Sequence, residues 1–110
     1  MNDDWLKIIN DLRSDPRDLH TTPKTNKKPL WFFACTDGTF IYVSNAKNHS
    51  PSTNISVTRK LGYAEFERIF PIHLRRERGE SISIEAALAT KNQVYWYSIF
   101  NFCLLVSTAI

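Results

Sequence analysis

Apolar positions recur at helical spacing near the N-terminus of this chain, run together in its middle, and fill its last third almost without interruption. Trp5, Leu6, Ile8, Ile9 and Leu12 share one face of a helix, with Asp3 and Asp4 where a helix N-terminus favours acids. The spacing predicts a helix to about Arg13, limited by Pro16. Residues 14–29 hold almost nothing apolar and read as a surface loop or arm that carries Lys24, Lys27 and Lys28.

A hairpin is predicted over residues 30–44. Its two apolar runs flank Asp37-Gly38, a pair that type I′ turns prefer because both central residues take positive φ. A two-residue turn sets Cys35 opposite Phe40, Phe33 opposite Tyr42 and Trp31 opposite Ser44 on one face. Leu30, Phe32, Ala34, Ile41 and Val43 occupy the other, so both faces are apolar and both are expected to need cover. Ile55 and Val57 alternate with polar residues and suggest a short third strand.

Helical signals follow. Gly62 as N-cap, Glu65 in the first turn and Gly79 as a left-handed cap bound a helix from about Tyr63 to Arg78, with Pro71 inside it as a kink or a break. Tyr63, Phe66, Ile69, Phe70 and Leu74 fall on one side; Arg68 and Arg75 fall opposite, flanked by Arg76 and Arg78. Ser83 is expected to cap a short helix through Ala89. Thr90 and Gln93 then have the form of a capping box for a helix from Lys91 to about Leu105, although strand formers crowd that segment.

From Gln93 to Ile110 there is no charge, and only Lys91, Ser98 and Asn101 form a polar stripe on the last helix. A helix so apolar all round is central rather than peripheral. A chain of 110 residues can cover about two-thirds of it. The remainder points to a symmetric homodimer through Trp96, Phe100, Cys103 and Leu104. The expected architecture is a single α+β domain over 1–110: an N-terminal helix, a small antiparallel sheet, then two to three helices with the last nearly buried.

Composition changes this picture little. The net charge of +3 is mild, and Cys35 and Cys103 lie in apolar runs without metal-ligand spacing, which suits a reduced, cytoplasmic protein. The N-terminus lacks the basic-then-apolar layout of a signal peptide, and Gln93, Ser98 and Asn101 make the last segment too polar for a membrane anchor.

Candidate chemistry is sparse. Arg68, Arg75, Arg76 and Arg78, with Arg59, Lys60 and the arm lysines, are placed to lie along a phosphate backbone, because arginine's planar fork binds phosphate oxygens bidentately. Trp31, Phe33, Phe40 and Tyr42 are a platform for nucleobases in principle, yet their strands carry no lysine or arginine, so packing against a helix is the expectation. Residues 84–101 loosely resemble a helix-turn-helix, with few base-reading side chains on the second helix. His20, His49 and His73 are scattered, and Asp15-x-x-Asp18-x-His20 is unspecific. No glycine-rich phosphate loop, nucleophile elbow, metal set or cofactor motif is present, and no small-molecule substrate suggests itself, so the reading leans away from an enzyme. The sequence is best read as a small cytosolic, prokaryotic or phage-borne binding protein, a homodimer that engages nucleic acid through its arginine-rich helix face. The rival is a protein-interaction module, inhibitor-like or antitoxin-like, for which the apolar surface matters and the arginines do not.

Overall fold

The computed structural model describes residues 2–23 and 26–104. The first helix, α1 (Asp3–Ser14), starts at Asn2, whose side-chain oxygen accepts the N–H groups of Asp4 and Trp5. Its apolar side buries Trp5, Ile8, Ile9 and Leu12. Part of the supposed arm then departs from expectation. Arg17–His20 forms strand β1, in which Leu19 is buried against the core and Asp18 is buried on the opposite face. A single inward apolar residue, Leu19, among many polar ones gave no alternation visible in the sequence.

β1 pairs antiparallel with β2 (Trp31–Thr36), which pairs with β3 (Ile41–Asn45), which pairs with β4 (Arg59–Leu61), giving the order β1-β2-β3-β4. The extra strand therefore comes from Arg59–Leu61 and not from Ile55 and Val57, which lie in the loop before it. The hairpin exists, but its register differs from the two-residue prediction. Thr36 faces Ile41, Cys35 faces Tyr42 and Phe33 faces Ser44. A type I′ turn needs positive φ at Asp37, and among the described residues only Gly38 and Gly79 have it. Asp37 instead folds its own carboxylate back onto the N–H groups of Thr39 and Phe40, each at 2.8 Å, and the connection lengthens to four residues. The partner shifts by two positions, so every side chain keeps its predicted face.

α2 (Tyr63–Glu77) runs unbroken through Pro71. Pro71 is exposed, so the carbonyl that loses its partner faces water. The buried stripe of α2 is Phe66, Ile69 and His73, with Leu74 left 44 % exposed rather than closing the apolar face. α3 (Ser83–Ala89) is the expected short helix. α4 (Gln93–Leu104) is a helix, as favoured, but it begins two residues after the predicted start. Thr90 does not form a capping box with Gln93. Its hydroxyl accepts the Asn92 N–H and donates to Glu65 across the domain.

All four helices gather on the inner face of the sheet, where Phe32, Ala34, Ile41, Val43 and Leu61 are fully buried with Trp5, Phe66, Trp96 and Ile99. α4 is the rod at the centre of this layer. Even Ser98, expected in its polar stripe, is fully buried and donates its hydroxyl to the His20 carbonyl, a bond that ties α4 to β1. Trp96, Phe100 and Cys103, proposed from the sequence as a dimer interface, are buried inside their own chain, and Leu104 is partly buried. Three helices and a sheet cover most of α4, and its remaining apolar exposure lies at Val94, Tyr95, Phe102 and Leu104. Among the described residues no helix is long and apolar enough to cross a membrane. The predicted end of α4 at Leu105 and the contribution of Lys24 lie outside the described residues.

Glu65 braces the helical layer. One of its carboxylate oxygens accepts the Trp96 indole N–H at 2.7 Å, the Asn92 amide at 3.1 Å and the Thr90 hydroxyl, which joins the first turn of α2 to the α3–α4 junction. Burial pushes its pKa up, but these three donors and Arg68 outweigh that, and the carboxyl sits below its ordinary value of 4.5. Removing the acceptor in Glu65→Ala orphans a fully buried indole N–H and two partly buried donors. The expected loss is about 2–4 kcal/mol in urea unfolding followed by tryptophan fluorescence. Because the folded-state pKa lies below the unfolded one, the carboxylate's contribution is complete above the ordinary glutamate value and disappears as pH falls through the lowered one. The gap between wild type and Glu65→Ala should therefore narrow on acidification.

Candidate nucleic-acid interface

Arg68 and Arg75 share the side of α2 that faces α3, whereas Arg76 lies against α4 and Arg78 caps the end of the helix. Arg68 donates to the Ala89 carbonyl at 3.2 Å and to the Ala64 carbonyl at 3.3 Å. Arg75 grips the Glu85 carboxylate with both terminal nitrogens and reaches Glu80 through Nε at 3.0 Å. These carboxylates push the Arg75 pKa further up, and the Arg75 guanidinium in turn holds those of Glu80 and Glu85 down. Arg78 joins Glu80 at 3.2 Å. Arg76 lies over the Tyr97 ring, 4.1 Å from its centroid, and is 3.5 Å from Glu77. Within the predicted phosphate-binding row, Arg68 and Arg75 thus clamp α3 to α2, with their donors taken by carbonyls and carboxylates. The carboxylates that fill them are Glu80 and Glu85, beyond the end of α2, and only the turn at Gly79 brings them back.

The helix-turn-helix comparison fails for a related reason. α4 occupies the place of a recognition helix, but Trp96 to Phe100 are buried without a break, so it has no surface for a DNA groove.

The outer face of the sheet differs most from expectation. Among the described residues no helix covers it, although sequence reasoning placed Trp31, Phe33, Phe40 and Tyr42 under one. All four are partly exposed, and basic side chains from flanking segments lie on them. The Lys47 ammonium is 4.4 Å from the Phe33 ring centroid and that of Lys60 is 4.0 Å from Phe40. The His49 ring stacks on Trp31 at 4.0 Å. Tyr42, between Cys35 and Lys60 in the ladder, donates its hydroxyl to Asp37. The Phe40 and Thr39 N–H groups, with that hydroxyl, hold the Asp37 carboxyl down to about 2. Phe40 has its edge against Gly62, where a Cβ would sit 3.1 Å from the ring.

A buried carboxylate sets the geometry of this face. The Asp18 side chain has no exposure and accepts the N–H groups of Lys47, Asn48 and His49 at 2.9, 2.7 and 3.1 Å, plus the His49 ring at 2.9 Å. Burial works against the charged form, but the donors win and the Asp18 pKa is lowered. Asn45 supports the same loop from its other end, accepting the Ile55 N–H at 2.7 Å and the Thr53 hydroxyl at 3.2 Å. The loop between β3 and β4 is thereby fixed with Lys47 and His49 over the rings. Lys47, His49 and Asp18 were absent from the predicted site. Their signal was a lysine and a histidine just after an aromatic strand, legible only once Asp18 is known to lie in a paired strand.

Of the other predicted residues, Arg59 is exposed and donates to Asn92 at 3.0 Å, Lys60 joins the aromatic face, and Lys27, Lys28 and Arg76 line one cavity. Among the described residues no three His, Cys, Asp or Glu groups are placed to hold a metal ion.

Asp18→Ala should release the loop while the helical layer stays folded. Hydrogen exchange at the Lys47, Asn48 and His49 amides is the measurement, and loss of their protection with the α4 amides unchanged is the expected result.

No protein family model matches the chain, and no curated protein or solved structure does either.

Proposed function

We propose that the protein binds single-stranded nucleic acid on the outer face of its sheet, with no catalytic step. The observation that carries this reading is the pairing of Phe33 with Lys47 and of Phe40 with Lys60 on a face that no helix among the described residues covers. Rings of this kind stack on bases of any sequence, and each stacked base contributes about 1–3 kcal/mol. The lysines then have phosphates within reach. Of the carboxylates nearest this face, Asp18 is buried beneath its loop, whereas Asp37 stays ionised at the exposed turn. The arginine row on α2, the first candidate for this role, is used internally. Free Cys35 and Cys103 support a reducing, cytoplasmic setting.

The test is fluorescence anisotropy with labelled single-stranded RNA and DNA at low salt. Lys47→Ala/Lys60→Ala is expected to weaken binding at least tenfold, or about 1.4 kcal/mol. Arg75→Ala/Arg76→Ala should leave it nearly unchanged, and affinity should fall with salt with a log–log slope of about −0.7 for each phosphate neutralised. No binding of either strand type by the folded protein at low salt would refute the reading.

A protein partner is the second reading, favoured by one observation. Ile84 and Leu88 sit one turn apart on α3 and are 78 % and 84 % exposed, unusual for large apolar side chains. Ile84→Ser/Leu88→Ser separates the two readings, because it should leave nucleic-acid binding intact.

A further inference from the structure

Where the chain leaves β1 it passes beside the first turn of α4 and the end of α2, and a cavity of about 380 Å³ opens between them. Lys27, Lys28 and Arg76 line it with Val94, Tyr95 and Tyr97, and no carboxylate is among its lining residues. By contrast, Arg75 and Arg78 at the end of α2 are matched by Glu80 and Glu85. Arg76 is partly engaged, since its guanidinium lies flat on Tyr97 with Glu77 at 3.5 Å, so charge preference in the cavity rests on the two lysines.

Two of the three threonine hydroxyls in the lining have a proton to give, while that of Thr53 already donates to Asn45. Thr21 Oγ1 accepts the Leu30 N–H at 3.0 Å, and Thr22 Oγ1 accepts the Asn101 amide at 3.3 Å. A hydroxyl that has accepted still has its proton to give, so both threonines add donors to a wall of cations. The remainder is apolar, including Leu30 and the half-exposed Val94. Tyr95 is fixed from behind by an edge contact with Phe32 at 5.2 Å, so the wall is preformed rather than assembled by the ligand.

We infer that this cavity is a binding site for a small organic anion that carries a planar ring, of about the size of a nucleoside monophosphate. The volume falls within the range of small-molecule sites, about 300–1,000 Å³. The donors and the absence of lining carboxylates select an anion. The tyrosines, Leu30 and Val94 give its ring an apolar surface that phosphate alone would not use. The site uses none of the outer-face residues and stands independently of the reading of that face.

The experiment is a titration of the full chain with adenosine 5′-monophosphate, followed by amide chemical shifts, with adenosine and inorganic phosphate as separate arms. Saturable binding at about 1 mM or below is expected, with shifts at Thr21, Thr22 and Val94. Each half-ligand should bind about tenfold more weakly than the whole. Lys27→Ala/Lys28→Ala and, separately, Val94→Glu should each weaken binding about tenfold or more. All three positions are exposed, so the variants should fold, as circular dichroism will report. Lys47→Ala/Lys60→Ala should have no effect, which keeps this result apart from the test of the sheet face. Failure of the folded wild type to saturate would overturn the inference. So would phosphate binding as tightly as the nucleotide, or indifference of binding to the two lysines.

Discussion

A four-stranded sheet with two apolar faces, and helices enough for only one of them, is the constraint on which the rest of this structure depends. The inner face takes all the cover. Phe32, Ala34, Ile41 and Val43 lie under α1 and α4, and α4 is surrounded so fully that even Ser98 must find a backbone carbonyl as partner. The outer face is then left with aromatic side chains at the boundary with water. Exposed rings in a row are a liability for any soluble protein, because they invite association. Here the chain meets the problem with cations and a pinned loop, and the candidate site follows from that solution.

The same limit on helical cover explains the arginines. α3 has seven residues, buries only Ala86, and shows Ile84 and Leu88 to water, so its own packing cannot hold it. Arg68 on its C-terminal carbonyl and Arg75 on Glu85 supply directional contacts in place of burial. Arg68 also meets the negative end of the helix dipole, where a cation is favoured. Single exposed ion pairs contribute little, but Arg75 joins two carboxylates in one fork, and such networks hold geometry better than isolated pairs. A row of like charges in a sequence is therefore weak grounds for a ligand site until the segment that folds back against it is known.

Much of the fold was legible from periodicity. α1, the hairpin, α2 with Gly79 as its stop, α3 and a central α4 each carried a pattern long enough to read, and a two-position register shift leaves side-chain faces unchanged, so the two faces of the hairpin were read correctly from a wrong turn. What escaped were features that depend on distant partners. β1 is four residues long and gains its identity from β2, and β4 is three residues long and gains its identity from β3. Thr90 had the form of a cap, yet its hydroxyl serves Glu65, twenty-five residues away in sequence. The aromatic platform was considered and set aside because its strands lack lysine. The lysines arrive from the neighbouring loop and strand, and that placement is tertiary.

The cations on the rings bear on binding as well as on solubility. A lysine over an exposed ring is held by about 0.5–1 kcal/mol, less than the 1–3 kcal/mol that a stacked base contributes. An arriving strand can therefore displace Lys47 and Lys60 from Phe33 and Phe40 and still gain. The displaced ammonium groups are not lost, because the strand brings phosphates to the place they vacate. Without a ligand the rings are shielded, and under the proposed function the same lysines would become its counter-ions. Asp18 sets the limits of this exchange, since it holds the backbone of Lys47 and makes no bond to its ammonium group. A rigid loop with a charge at its tip lowers the ordering cost of binding. That the carboxylate doing this is buried on the outer face of an edge strand, with its donors supplied by a loop some thirty residues on, follows from the sheet having no helix to spare for that side.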